Sequence, residues 1–332
     1  HLRVSSEYSI SQGLLTVDQI VDNAIRNSVP SVALTDKSNM FGLVKFFNKC
    51  ESAGIKPISG SSIRLIFDDD DTSYELLCLA KTNNGHKNLM KIISNAHNNS
   101  TFNYPIIRFN DLIELKDDII VISGGKESHI FEYLKSNNIS DASKRIDDFR
   151  NSFGDNFVLD VQLTNRIDEI EYLKNVLPIA KDKGIPLIAT NDVLFAEQDD
   201  YEIHETKVCI NTGKTLNDPN RERAFSEHQY FKSPQEMVEL FKDYDSIIDN
   251  TNEISKKCNV SLETKGYFLP EYPVPKKHNF DSFLKEISTQ RIESYIKDFD
   301  SKKHTEYLDR LNYELEQIKT MGFSSYFLIV YD

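Results

Sequence analysis

The first two hundred residues alternate short apolar strand patterns with amphipathic helical ones, and that rhythm confines the chain to an α/β architecture built from successive βα units. Strands are predicted over 1–4, 32–35, 56–67, 74–80, 119–123, 157–161 and 186–190. Between the first two, Thr16 with Gln19 three residues on forms a capping box, and Val17, Ile20, Val21, Ala24 and Ile25 make an apolar stripe that Pro30 ends. A second helix runs through Cys50, with Gly54 as its C-cap. A later stripe, Ile167, Ile170, Leu173, Val176, Leu177 and Ala180, stops before Gly184. Such a succession closes into a parallel barrel or opens into a doubly wound sheet. No GxGxxG follows a strand and there is no P-loop, so the barrel is the expected form.

With 332 residues there is room for one large α/β domain and an additional piece. The character changes after residue 265, where GYFLPEYPVPKKH (266–278) reads as a linker. Two amphipathic helical stretches follow, over roughly 280–297 and 303–320. The apolar ending MGFSSYFLIVYD stops in mid-pattern, and a truncated chain is expected from it. A net charge of −13 argues against binding a phosphate backbone through the chain as a whole. Cys50, Cys78, Cys209 and Cys258 are far apart and form no CxxC pair, so reduced thiols and a cytoplasmic setting are expected. No signal peptide and no membrane-spanning run can be read.

Few residues announce chemistry by themselves. The Asp run 68–71 lacks the alternating spacing of a calcium loop and reads as a solvated hairpin tip. None of the histidines falls in HxH, HExxH or HxxxH spacing; His86 and His97 read as surface residues, and His204 as a structural or surface residue of a helix. No nucleophile elbow or Cys/His pairing is present. In a barrel, function gathers at the C-terminal ends of the strands. Those ends carry Arg3 and Ser5, Asp36 and Lys37, Ser61 and Ser62, Gly124 and Gly125, and Asn191 and Asp192, a polar rim poor in metal ligands. Lys37 is a possible base or Schiff-base lysine if desolvated, but an ion-paired lysine is the plainer reading beside Asp36, with Glu75 or Asp192 in reach.

The motifs match a known family in order along nearly the whole chain. HLRVSSEYSISQG resembles the HLHxHxEYSLLDG opening of bacterial replicative (C-family) DNA polymerase III alpha subunits, and VALTDKSNMFGLVKF resembles their ALTDHGNMFGLVKF. AGIKPISGSSI, LAKTNNGHKNLMKIIS, PLIATNDVLF, GYFLPEYPVP and MGFSSYFLIVYD continue the likeness. The resemblance implies a polymerase-and-histidinol-phosphatase (PHP) domain over 1–270, a distorted (βα)7 barrel, with 271–332 as the start of a polymerase core. It implies DNA-directed polymerase activity in the parent protein, with Mg2+ at palm carboxylates outside this chain, and none in this segment alone.

Some members of that family hold a trinuclear metal site in the barrel that supports 3′–5′ exonuclease chemistry. By the resemblance its ligand positions fall here on Arg3, Ser5, Gln12, Lys37, Ser62, Glu75, Gly125, Asp192 and Leu194, with Asp36 beside Lys37. Only Asp192 keeps the family's ligand, and Glu75 is an altered one. Serine, glycine and leucine offer no comparable donors, and an ammonium about 4 Å from a divalent ion is repelled by roughly 8 kcal/mol at an effective dielectric of about 20. A metal-free, catalytically silent domain is therefore expected, with Arg3 and Lys37 paired to Asp36, Glu75 or Asp192 in place of the metals. The resemblance also implies the proofreading exonuclease (epsilon) subunit as a partner. The alternatives are an active metal-dependent exonuclease or phosphoesterase, which the missing ligands disfavour, and a free-standing sugar-phosphate phosphatase, which the polymerase-like tail disfavours.

Overall fold

The computed structural model describes residues 1–69, 72–99, 104–244, 246–262 and 270–332. They fall into two compact units, His1–Leu262 and Glu263–Asp332. The first unit carries a sheet of seven strands: β1 (Ser31–Leu34), β2 (Lys56–Ile66), β3 (Tyr74–Ala80), β4 (Ile107–Arg108), β5 (Ile119–Ile122), β6 (Phe157–Val161) and β7 (Leu187–Ala189). Their order is β1-β2-β3-β5-β6-β7, with β4 on β2. Pairing is parallel except around β3, which runs antiparallel to both β2 and β5. A succession of purely parallel units, as the strand–helix rhythm alone suggests, is thus interrupted by the β2–β3 hairpin. No helix separates those two strands, so the chain can only return antiparallel.

The N-terminal segment joins the two edges of this sheet. The Ala33 and Thr35 amides donate to the carbonyls of His1 and Val4, while Ser5 N–H donates to Val193 O at 2.9 Å and Val193 N–H to Arg3 O at 3.1 Å. Residues 1–5 therefore lie between β1 and the continuation of β7, curling the sheet into a distorted barrel. Only Val4, bridged to Val193, pairs as a strand residue in the segment where a strand over 1–4 was expected.

Alternation sorts the strand residues onto two faces. Ala33, Ile58, Leu77, Leu79, Ile120, Ile122, Val158 and Ile188 form one buried cluster with Leu2, the filled interior of the barrel. Leu76, Cys78, Val121, Phe157, Leu159 and Leu187 face the other way and pack with helical residues such as Leu89, Ile146, Phe149, Leu173 and Val176. The helix Val17–Arg26 begins at the predicted capping box, with Thr16 accepting from the Gln19 amide. It packs with the helix Leu43–Ser52 over β1 through Val17, Ile20, Val21, Phe46 and Phe47. All four cysteines are free and buried.

Several expectations need correction. Ile25, Ile167 and Ile170 are exposed at 54%, 78% and 61%, although all were read as apolar stripe. The later helix spans Glu169–Lys183 and starts only after Asp168 in a left-handed conformation, so Tyr172, Leu173, Val176 and Ala180 form its buried face. The Asp run is not a purely solvated tip: Asp68 pairs with Arg108 at 3.0 Å, and Asp69 pairs with Lys144 and Arg145. Asp70 and Asp71 lie outside the described residues. His86 is only half-exposed, its Nδ1 lying 3.1 Å from Ser59 Oγ. His204, expected as a structural or surface residue of a helix, is the structural one: it lies in the helix Tyr201–Thr212, fully buried beside Phe195 and Phe225.

The second unit holds the helices Phe280–Ile296, Ser301–Thr320 and Ser324–Tyr331, capped at their starts by Asn279 in the first and Asp300 in the second. No helix among the described residues is long and apolar enough to cross a membrane. The sequence division at 270/271 compares with one at 262/263 in the fold, and 263–269 lie outside the described residues.

Candidate functional site: an ion-paired pocket at the barrel mouth

The parallel strands bring their C-terminal ends to one mouth, and the antiparallel β3 brings its N-terminal end there instead. Glu75 consequently reaches the rim beside residues that follow β1, β2 and β7. A cavity of about 500 Å³ opens at this mouth, lined among others by Arg3, Gln12, Lys37, Glu75, Arg166 and Asp192.

The charges are interlocked. Lys37 Nζ donates to Glu75 Oε2 at 2.9 Å. Arg3, 2% exposed, lies 3.8 Å from Glu75 and 3.9 Å from Asp192 through Nη1. Arg166 stands 3.5 Å from Asp192, and Gln229 donates to the same carboxylate at 2.8 Å. Burial pushes the Glu75 carboxyl up, but Lys37 and Arg3 outweigh it and hold it at about 2. Burial opposes the charge of Arg3 too, and Asp192 and Glu75 more than compensate, raising it. Lys37 is thus an ion-paired lysine rather than a desolvated base.

Asp36 does not take part in this pairing. It is buried and accepts from Ser6 N, Ser6 Oγ and Ser9 Oγ, each at 2.7 Å, so it pins the 5–9 loop and pairs with no cation among the described residues. Burial raises its pKa against those hydrogen bonds. This corrects the expectation of Asp36 as a possible partner of Lys37: adjacent residues at a strand end point to opposite sides.

The remaining positions divide between wall and frame. Gln12 lines the cavity, and Ser62 lines an adjoining one while bridging to Lys37 in an extension of the β1–β2 ladder. Ser5 is buried with its amide bound to Val193. Gly125 has φ +60° and donates its N–H to Asp160 Oδ1 at 2.7 Å. Leu194 is 1% exposed and belongs to the core. Among the described residues no three His, Cys, Asp or Glu side chains come together as metal donors. At the positions expected to hold ligands the site offers two carboxylates, Glu75 and Asp192, both already engaged by cations, a donor set that does not fit a divalent metal.

Two groups escaped the sequence reading. Arg166 bonds Thr164 Oγ1, Glu169 and Gln162 behind Asp192. Asp160, fully buried, accepts from Ser123 Oγ, Gly125 N and Thr190 Oγ1, tying β5, β6 and β7 at the mouth. A carboxylate inside the apolar strand FVLDV was the available signal.

A curled α/β sheet with a polar pocket at its strand ends is the architecture of a PHP domain, and residues 1–164 match the family model described as PHP domain. Residues 282–332 match the model described as bacterial DNA polymerase III alpha NTPase domain. The chain belongs to the DNA polymerase III alpha subunit family. It is 38% identical over its full length to the DNA polymerase III subunit alpha of Pseudomonas aeruginosa, and 37% identical over 99% of its length to that of Escherichia coli. It spans 29% of the length of these curated relatives. Among solved structures, an amidohydrolase from Chromobacterium violaceum is similar at 11% identity and a TM-score of 0.43, over 62% of this chain and 95% of that one.

Proposed function

We propose that the chain is the N-terminal PHP segment of a cytoplasmic replicative DNA polymerase, working in DNA replication as a metal-free, catalytically inactive scaffold that docks the proofreading exonuclease subunit. The observation that carries the silent role is the network Lys37–Glu75–Arg3–Asp192, at positions that the resemblance to the polymerase family assigns to metal ligands. A divalent ion entering there must displace Lys37 and Arg3 from their carboxylates and then sit beside two cations, a repulsion of several kcal/mol. What remains is a rigid barrel with its strand ends tied together, suited to present a surface. DNA-directed polymerisation, with Mg2+ at palm carboxylates, belongs in this reading to the parent protein beyond residue 332.

The purified chain should contain no stoichiometric zinc or manganese and should leave 3′ ends intact in an exonuclease assay with added manganese, with a chelator control. It should co-purify with the exonuclease subunit. Stoichiometric metal with chelator-sensitive nuclease activity would establish the active phosphoesterase instead. Failure of the exonuclease subunit to bind would remove the docking role alone.

A further inference from the structure

On the outside of the barrel, the helix Asn83–Asn99 and the turn between β1 and the helix Leu43–Ser52 enclose a groove of about 460 Å³. Met40, Phe41, Met90 and Ile93 supply its apolar wall, with Ser94 and Asn98 at its polar edge. Phe41 is exposed at 71%, Val44 one helical turn on at 58%, and Met90 at 45%. Large apolar side chains exposed together mark a place where another surface docks. The groove is preformed. Asn39 Nδ2 donates to Tyr8 O and Lys37 O, each at 3.0 Å, and Asn39 Oδ1 accepts from the Phe41 amide at 3.2 Å. His97 Nε2 stands 2.8 Å from Ser38 O, tying the helix to the turn. A partner therefore meets an ordered wall and loses little free energy in arranging it.

The chain as a whole is acidic, with 52 Asp and Glu against 39 Lys and Arg, but this face is not. The helix Asn83–Asn99, NNGHKNLMKIISNAHNN, contains no carboxylate. Lys87 and Lys91 lie on it one turn apart beside Met90, both exposed and neither in an ion pair among the described residues. The lysines of the neighbouring helix, Lys45 and Lys49, are by contrast both paired to Asp18. The Asp118 carboxylate meets the helix only at its start, where it accepts from Thr82 and Asn84. Two uncommitted ammonium groups thus stand on the helix that walls the groove, and they call for carboxylates from a partner. Met90, Ile93 and His97 recur at helical spacing, so the wall is a ridge about 10 Å long. A partner helix with apolar residues at i, i+3 or i+4 and i+7 matches such a ridge, whereas an added strand needs a free sheet edge and the groove lies between a helix and a turn. Met40 and Met90, two of the four methionines of the chain, adapt their shape to what enters.

We infer that this groove docks an amphipathic helix of a partner protein, its apolar stripe seated against Met40, Phe41, Met90 and Ile93 and its acidic flank against Lys87 and Lys91. A second copy of this chain docking face to face would set the same lysines against each other. A nucleic-acid strand would meet two cations and an apolar floor, too little charge for its phosphates. The site is defined by this chemistry and holds independently of which protein carries the helix.

The test titrates the 332-residue chain into a labelled helical peptide of about 18 residues, read by fluorescence anisotropy. The peptide carries leucines at i, i+3, i+4 and i+7 and glutamates on both flanks. A version with lysines in place of the glutamates, and a scrambled one of the same composition, are the controls. Saturable binding of the acidic peptide is expected, weakening as salt is added, with the lysine peptide about tenfold weaker. Lys87→Glu with Lys91→Glu should weaken the acidic peptide about tenfold and bind the lysine peptide better than the parent does. Phe41→Ser and Met90→Ser should each weaken the acidic peptide about fivefold or more. All four substituted positions are exposed, and thermal unfolding of each variant checks that the fold is kept; the remaining variants carry the test should one unfold. No saturable binding, equal binding of the acidic and scrambled peptides, or affinity unchanged by the serine substitutions or by the charge reversal overturns the site. Self-association of the chain that Phe41→Ser abolishes would assign the groove to a second copy and overturn it too.

Discussion

Replacing Glu75 with glutamine removes the one carboxylate shared by Arg3 and Lys37. At an effective dielectric of about 20, the Arg3–Glu75 contact at 3.8 Å is worth roughly 4 kcal/mol before desolvation. The Lys37 contact at 2.9 Å is closer, but Lys37 is 30% exposed and partly screened. Burial of the carboxylate offsets part of both. The net is given by the carboxyl itself: held at about 2 instead of an ordinary ~4.3, it contributes about 3 kcal/mol of stability at pH 7. Because the folded-state value is depressed, this contribution is complete above pH ~4.3 and disappears as the pH falls through about 2. Urea unfolding at pH 7, followed by tyrosine fluorescence and circular dichroism, should show Glu75→Gln lower by ~1.5 M in midpoint, taking a slope of about 2 kcal/mol/M. At pH 3.5 the gap should narrow. Arg3→Met combined with Glu75→Leu should recover at least half the loss, since a lone buried charge costs more than an absent pair. A single variant within about 0.3 M of the parent at pH 7 would refute the reasoning: Arg3 and Lys37 would then not depend on Glu75.

Gly124→Ala should destabilise by about 2 kcal/mol or more, because φ is +95° and a Cβ would stand 2.0 Å from the Glu75 carbonyl oxygen, displacing the strand end that carries the site; the same urea series measures it. Thr16→Ala should cost about 1 kcal/mol through loss of the capping box with Gln19, seen as a lower unfolding midpoint with an unchanged slope. Lys232, 5% exposed and bound to Asn191 Oδ1 at 3.1 Å, is pulled down to about 8 by burial against weaker support from Glu236 and Glu169. Side-chain NMR should find its midpoint there. The unfolded chain keeps that proton up to ~10.4, so this group's contribution to stability should rise between pH 8 and 10.4.

Six of the seven strands were legible because each is a short apolar run bounded by turn residues, whereas the two-residue β4 was missed and the expected strand over 1–4 forms only a bridge at Val4; the Thr16 cap was legible because its signal lies within four residues. Arg3, Lys37 and Asp192 were legible as strand-end residues, and the resemblance to the polymerase family placed them and Glu75 at ligand positions, with Asp192 the one retained ligand. The rest of the network was not legible. Arg166 and Asp160 reach the mouth from loops and strands far apart in sequence, and a charged residue in a loop carries no signal of what it will face.

By itself the sequence determined that strands and helices alternate, where the first helix begins, and that the expected strand ends carry a polar rim poor in metal ligands. Those properties are local or compositional, so a linear reading captures them. Only the tertiary structure decided that β3 runs backwards and so delivers Glu75 to the mouth, that residues 1–5 join the two edges of the sheet, and that Lys37 turns to Glu75 while Asp36 turns to Ser6 and Ser9. Each depends on which strand ends meet in space, and the pairing of charges follows distance in the folded barrel rather than distance along the chain.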